Sequence, residues 1–151
     1  MIKVLEFLRE ALLNLLIPLL YLVYVILVIK SGNWLLLLHP SFLEIILMLF
    51  LIFGLGLWLI SYFYLYPSTY LYPRANQLVT TGPYRFIRHP VYLGVLIVFF
   101  SLSLLTKSWL ALGYTLLIIL PLNFGRTKWE EKILTEIFGE KYRRYQRQTL
   151  F

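Results

Sequence analysis

The chain has 151 residues, 60% of them hydrophobic and 14% charged, with a mean hydropathy of +0.78. A soluble domain ordinarily carries about 25% charged residues, so a single small domain of this make-up belongs in a membrane. There is no cysteine and no aspartate, and the only histidines are His39 and His89, which excludes disulfides, thiolate chemistry, a Ser-His-Asp triad and a zinc or iron cluster of the usual ligand spacing.

Spanning a hydrocarbon core of about 30 Å takes roughly 20 apolar residues in a helix. The first such run, residues 11–29, carries no charge. It is longer than a signal-peptide core and lacks a small-residue cleavage site after it, so it reads as a retained anchor. The second, residues 42–66, holds one charge, Glu44 near its start, and is long enough to tilt. Residues 91–106 and 109–124 are shorter apolar runs separated by Lys107-Ser108, the pattern of a tight helical hairpin. The expected fold is therefore all-α: one membrane domain over residues 1–151, with four transmembrane helices, a polar loop at 67–90 and a tail from 126 to 151.

Twelve of the fourteen basic residues fall in the N-terminus, that loop and that tail, against Lys30 and Lys107 on the other side. Basic residues gather on the cytoplasmic face, so both termini and the loop are expected in the cytoplasm, with a plasma-membrane location if the source is prokaryotic. The net charge of +7 then reflects orientation in the membrane, and no nucleic-acid partner and no obligate protein partner are expected. Tyr62, Tyr64, Tyr66, Tyr70 and Tyr72 form an aromatic belt at that face. In the tail, Thr127-Lys-Trp-Glu130 fits a capping box that would start an amphipathic helix carrying Trp129, Ile133 and Ile137 on one face, and Gly139 marks a break.

Polar residues crowd into the end of the loop, Asn76 to Gly94, and the start of the tail, Arg126 to Glu131. A hairpin brings these two stretches together, so they can wall one pocket at the membrane surface. Taken alone, each residue has a plain structural reading. Pro90 suits the first position of a helix with His89 near its cap, and the free N–H groups there also suit an anion. Arg85 and Arg88 read as anchors for lipid phosphates, and Tyr84 and Tyr92 as belt residues. Glu130 reads as a capping glutamate, and Gly94, Ser101 and Ser103 as small residues for close helix packing. Glu44 is the one acid within a span, but it lies close enough to the external end to reach water, and His39 sits just outside the membrane.

Taken in order, Gly82-Pro-Tyr-Arg-Phe-Ile-Arg-His-Pro-Val-Tyr-Leu-Gly94, then the Glu130-Glu131 pair, then Phe138-Gly-Glu-Lys-Tyr142 resemble the isoprenylcysteine carboxyl methyltransferase family and, more broadly, its relatives that methylate phospholipids or other lipophilic acceptors. The resemblance covers roughly Asn76 to Tyr145. It implies S-adenosylmethionine as methyl donor, with donor contacts from Asn76, Gln77, Leu78, Val79, Tyr84, His89, Pro90, Val91, Tyr92 and Glu130. It also implies that Arg126 is the catalytic, acceptor-binding arginine, holding a lipophilic or prenylated acceptor drawn from among the membrane lipids. The N-terminal half matches no motif, and Thr69 stands where the eukaryotic enzymes usually place glutamine.

The residues accord with this chemistry. The donor's amino group needs an acid, its carboxylate an anion site, its adenine a flat apolar slot and its sulfonium a dry pocket; Glu130, the helix start at Pro90 and the aromatic loop residues can supply them. A carboxylate acceptor needs no general base, and Arg126 can clamp it bidentately, which favours carboxyl O-methylation of an isoprenylcysteine-like substrate. The alternatives are methylation of a phospholipid or other lipid amine, an NADPH-dependent sterol-type reductase with a similar Arg-His-Pro-x-Tyr segment, and a non-enzymatic four-span transporter or scaffold.

Overall fold

A computed structural model describes residues 2–65 and 78–150, with side chains from Leu16 onward apart from Leu36. Among the described residues the regular structure is entirely helical. The helices are α1 (Ile2–Ser31), α2 (Phe42–Leu65), α3 (Pro90–Leu105), α4 (Trp109–Phe138) and α5 (Glu140–Gln148), with 3₁₀ turns at Trp34–Leu38 and Gly82–Arg85. Phe42–Leu65 and Trp109–Phe138 are long and apolar enough to cross a membrane, while Leu16–Ser31 and Pro90–Leu105 are shorter apolar helices.

The most apolar helix, α2, buries only Glu44, Gly54 and Ser61. Phe50, Ile52, Phe53, Leu59 and Ile60 are exposed on its outer side, a surface made for lipid rather than water. Its contact with α3 depends on two glycines. A methyl group added at Gly94 would lie 2.7 Å from the Trp58 backbone nitrogen, and one at Gly54 would lie 2.8 Å from Ile97 Cγ2. Small residues allow backbones in lipid to approach and gain dispersion contacts, since burial from water offers nothing there.

Tyr24 joins α1 to α3. Its ring stacks on Phe99 at 3.8 Å, and its hydroxyl donates to the Phe99 carbonyl at 2.7 Å and lies 3.2 Å from Ser103 Oγ. Val28, Val95, Val98, Ala111 and Ile119 complete the core around it. The hairpin between α3 and α4 forms where it is expected. Lys107 turns the chain with φ of +51°, and Ser108 Oγ accepts from the Ala111 N–H at 3.3 Å to cap α4.

The structure departs from the sequence reading in α4. No new helix starts at Thr127. The helix runs unbroken from Trp109 to Phe138, and Thr127 Oγ1 donates back to the Phe124 carbonyl at 2.8 Å. Gly125 lowers helix propensity by only about 1 kcal/mol, and nothing at residues 122–127 forces the chain to leave the helix. Thr115–Ile119 forms one wide π turn. Averaged with the tighter α turns, this keeps the buried positions Ala111, Thr115, Ile119 and Asn123, each four apart, on one face. The break at Gly139 is real, with φ of +52°, and it turns α5 back toward the loop. Of the apolar tail face, Ile137 remains half exposed.

Glu44 caps α2 and does not reach out to water. Its carboxylate accepts from the Ser41 N–H at 2.6 Å and lies 3.7 Å from Lys107 Nζ, tying the start of α2 to the hairpin turn. Ser41-x-x-Glu44 is the capping-box pattern, so this role was visible in the sequence at a place where no cap was expected. His39 is exposed at the end of the first 3₁₀ turn.

The glycine contact gives a direct test. Gly94→Ala is expected to destabilise the purified protein by about 1–3 kcal/mol, the usual cost of overpacking against rigid backbone. Gly56→Ala, which meets open space, should be neutral or stabilising by up to about 1 kcal/mol. Equal thermal midpoints for the two variants would show that α2 and α3 do not depend on this approach.

Candidate functional site

The site forms where the first turn of α3 faces the continuous stripe of α4. His89 stands at the N-cap of α3 with no side-chain cap, and Pro90 follows at the first helical position. The backbone N–H groups of Val91 and Tyr92 therefore have no intrahelical acceptor, and the positive end of the helix dipole is directed the same way. On α4, Asn123, Arg126 and Glu130 follow at spacings of three and four, which places them on one side.

Glu130 is the hub. Its Oε1 accepts from the Tyr92 hydroxyl in a short hydrogen bond and from Arg126 Nε at 3.3 Å, while Oε2 lies 3.7 Å from His89 Nδ1. The Arg126 guanidinium stands 5.7 Å from the Tyr92 ring centre. Glu131 looks the other way: Arg88 Nη1 donates to it at 2.7 Å, Lys128 Nζ lies at 3.8 Å and His89 Nε2 at 3.6 Å. Burial pushes the His89 pKa below its ordinary value, against the opposing pull of Glu130 and Glu131. The imidazole therefore sits neutral between two carboxylates at pH 7.

The end of the chain closes the outer wall. Leu150 N–H donates to the Phe86 carbonyl at 2.8 Å, and its own carbonyl accepts from Arg88 N–H at 3.1 Å. The Tyr145 hydroxyl donates to the Tyr84 carbonyl at 2.6 Å. Burial raises the Tyr145 phenol to about 12, and burial followed by the Glu130 charge pushes Tyr84 higher still. Tyr142 is packed beneath, its phenol raised by burial and then by Glu131. Among the described residues, four buried polar atoms here have no hydrogen-bond partner: Arg88 Nε, His89 Nε2, Asn123 Nδ2 and the Tyr142 hydroxyl. Such atoms carry a desolvation penalty unless a ligand or water meets them.

Of the residues named from sequence, the structure brings together His89, Pro90, Tyr92, Arg126 and Glu130, with Tyr84 buried close enough to feel the Glu130 charge. Val91 is half-buried beside them. Leu78 lines a cleft of about 250 Å³ with Arg85, Lys141, Arg144 and Tyr145, which none of His89, Arg126 or Glu130 lines, and Val79 is half-buried next to it. Asn76 and Gln77 lie outside the described residues, as do Thr69 and the belt tyrosines Tyr66, Tyr70 and Tyr72.

Arg88 departs from the sequence reading, since its Nη1 is committed to Glu131 rather than offered to lipid. Glu131 was marked in the sequence as the partner of Glu130, whereas Tyr142, Tyr145, Asn123 and Tyr21, which stand beside these groups, were not singled out. Phe138-Gly-Glu-Lys-Tyr142 did contain the signal for Tyr142, because a glycine after a helical run ends the helix and lets the following segment turn back, here toward the loop at Tyr84 and Arg88.

Comparison with known proteins accords with this geometry. A segment of 64 residues, 42% of this chain, is 42% identical to the methanethiol S-methyltransferase of Pseudomonas deceptionensis and covers 23% of that protein. A segment of 62 residues, 41% of this chain, is 32% identical to methanethiol S-methyltransferase 1 of Bradyrhizobium diazoefficiens and covers 21% of it. The matches thus span less than a quarter of either relative. No solved structure matches the chain. The phospholipid methyltransferase family profile matches residues 39–141, from the second apolar helix through the Glu130-Glu131 pair to the fold-back at Gly139, and on that extent the chain belongs to the phospholipid methyltransferase family.

Proposed function

We propose that this protein is an integral membrane methyltransferase that moves a methyl group from S-adenosylmethionine to an anionic acceptor held by Arg126. The observation that carries the reading is the convergence of Glu130, Arg126, Tyr92 and neutral His89 on the uncapped start of α3. The donor's functional groups fit what is there. Glu130 and Glu131 suit an ammonium, the free N–H groups of Val91 and Tyr92 suit a carboxylate, and the orphaned His89 Nε2 and Tyr142 hydroxyl suit polar atoms in a dry pocket. When bound, S-adenosylmethionine supplies an electrophilic methyl on a cationic sulfur; the carbon–sulfur bond breaks as the bond to the acceptor forms.

What the chain contributes is placement and exclusion of water. Tyr92 and Arg126 fix the Glu130 carboxylate, and the pinned chain end covers the pocket, so alignment and desolvation supply much of the rate. Among the described residues, Arg126 hydrogen-bonds only through its Nε, which leaves its terminal amino groups for an acceptor anion. A carboxylate, as in an isoprenylcysteine-like lipid, is a nucleophile without further help. The names of the two relatives favour a second acceptor of the same charge, a thiolate. A thiol must first lose its proton, and neutral His89 and the Glu130 carboxylate are the groups at hand to take it. A lipid amine would need the same help, and Arg126 would serve it through the neighbouring phosphate rather than through the reacting atom.

The four-crossing arrangement, with both termini and the site in the cytoplasm, belongs to the same proposal. It rests on the charge asymmetry and on where the donor is made. α3, at about 24 Å by its rise, is short for a core of about 30 Å and calls for local thinning or flanking residues at the interface.

Two expectations follow. In equilibrium binding, Glu130→Gln should weaken S-adenosylmethionine by about 10- to 100-fold, the worth of a charge-assisted hydrogen bond. Arg126→Ala should weaken the donor by no more than about tenfold, because Tyr92 still holds Glu130, yet lose transfer to both a prenylcysteine and methanethiol by about 100-fold at saturating donor, since the oriented ion pair to the acceptor is gone. Normal transfer by both variants, or saturable NADPH binding without S-adenosylmethionine binding, contradicts the proposal.

The neutral His89 gives a pH signature. Its folded pKa lies below the unfolded value of about 6.5, so between the two the unfolded chain binds the proton and stability falls as pH drops. Thermal midpoints should decline from about pH 6.5 downward and level off below the folded pKa, and His89→Asn should remove that component. The same slope in both proteins would show that His89 is not buried neutral.

A further inference from the structure

The buried stripe of α4 contains one residue that packing alone does not explain. Asn123 is 3% exposed, among Thr115, Ile119 and Ala111 on the same face, where an aliphatic side chain would fill the space without polar cost. One end of its amide meets the Tyr21 hydroxyl of α1 at 3.4 Å, and the other end, Nδ2, has no hydrogen-bond partner among the described residues. Whichever way the amide is turned, Tyr21 satisfies one end only. Asn123 lies one turn before Arg126, toward the apolar part of the helix, and Tyr21 is close enough to Arg126 to feel its charge. The orphaned amide thus lies on the membrane side of Arg126, one helical turn away along the same face of α4.

We infer that Asn123, held by Tyr21, is an acceptor-binding residue, its free amide N–H donating to an uncharged oxygen that the acceptor carries about one helical turn further into the membrane than the atom that is methylated. The inference rests on the proposed methyl transfer and adds the acceptor's chemical class: a molecule with a carbonyl or hydroxyl oxygen close to its nucleophile, in preference to a bare alkyl thiol. It also gives the N-terminal helix a part in the site. Tyr21 lies outside both the family match and the motifs read from the sequence, and its part is positional, since it acts by turning the Asn123 amide. Tyr114, whose hydroxyl donates to the Leu20 carbonyl at 3.2 Å, fixes α1 against α4 at the same level.

The test uses the full chain in nanodiscs with two acceptors, an N-acetyl-S-prenylcysteine, which has an amide carbonyl beside its carboxylate, and methanethiol, which has no oxygen. Asn123→Leu keeps the branched shape and removes the amide. It should raise the KM for the prenylcysteine at least tenfold, with kcat within twofold, S-adenosylmethionine affinity unchanged and the methanethiol KM unchanged. Tyr21→Phe should raise the prenylcysteine KM about threefold, and Asn123→Gln should recover part of what Asn123→Leu loses. An unchanged prenylcysteine KM in Asn123→Leu overturns the inference. So does a parallel fall in kcat, donor affinity and both acceptors, which marks a structural role, and so does wild-type transfer to methanethiol alone. Absence of donor binding and of all transfer in the wild type would instead sink the underlying methyltransferase reading.

Discussion

A carboxylate two-thirds of the way along α4 receives its hydrogen bonds from two directions, and the arrangement of the C-terminal half follows from that. Glu130 accepts from Tyr92 on α3 and from Arg126 one turn earlier on its own helix. A half-buried charge needs partners that offset its lost hydration, so the contacts of Glu130 draw α3, the loop before it and the end of α4 together. Glu131 repeats the constraint outward through Arg88, and the chain end, paired to Phe86 and Arg88, closes the remaining side. The same contacts that hold the loop in place therefore also gather an uncapped helix start, two carboxylates and a neutral imidazole.

The rest of the bundle makes that meeting possible. In a lipid-facing assembly apolar burial gives little direction, so the helices are registered by specific contacts: the close approach at Gly54 and Gly94, the Tyr24 stack and hydrogen bonds, and the Glu44 cap with its link to Lys107. The wide π turn at Thr115–Ile119 keeps one face of α4 inward. That face begins as packing at Ala111 and ends as chemistry at Glu130.

Much of this could be read from the chain. Apolar run lengths located the helix ends to within a residue or two, except at the start of α1, which begins at Ile2, and at the end of α4, which continues past residue 124 to Phe138; Lys107-Ser108 marked the hairpin. The ordered segment from Gly82 to Gly94, with Glu130-Glu131 after a hairpin-length gap, pointed to the site. What misled was local signal without its three-dimensional setting. Thr127-x-x-Glu130 has the form of a capping box, but the preceding turn was already helical and Glu130 had stronger partners in Tyr92 and Arg126. Arg88 is indistinguishable by type from Arg85, and only the fold-back of α5 and the position of Glu131 set it apart. Asn123 and Tyr21 are separated by 102 positions, and no periodicity links a tyrosine in one span to an amide in another.

The central claim is that Tyr92 at the start of α3 and Glu130 on α4 act as one unit in holding the methyl donor. A double-mutant cycle on S-adenosylmethionine affinity, with Tyr92→Phe, Glu130→Gln and the pair together, measures this most directly. The account predicts that the two losses are strongly non-additive, with a coupling of about 1–3 kcal/mol, as for groups in one buried hydrogen-bond network. Losses that simply add, to within about 0.3–0.5 kcal/mol, would show that the two residues bind independently and would contradict it.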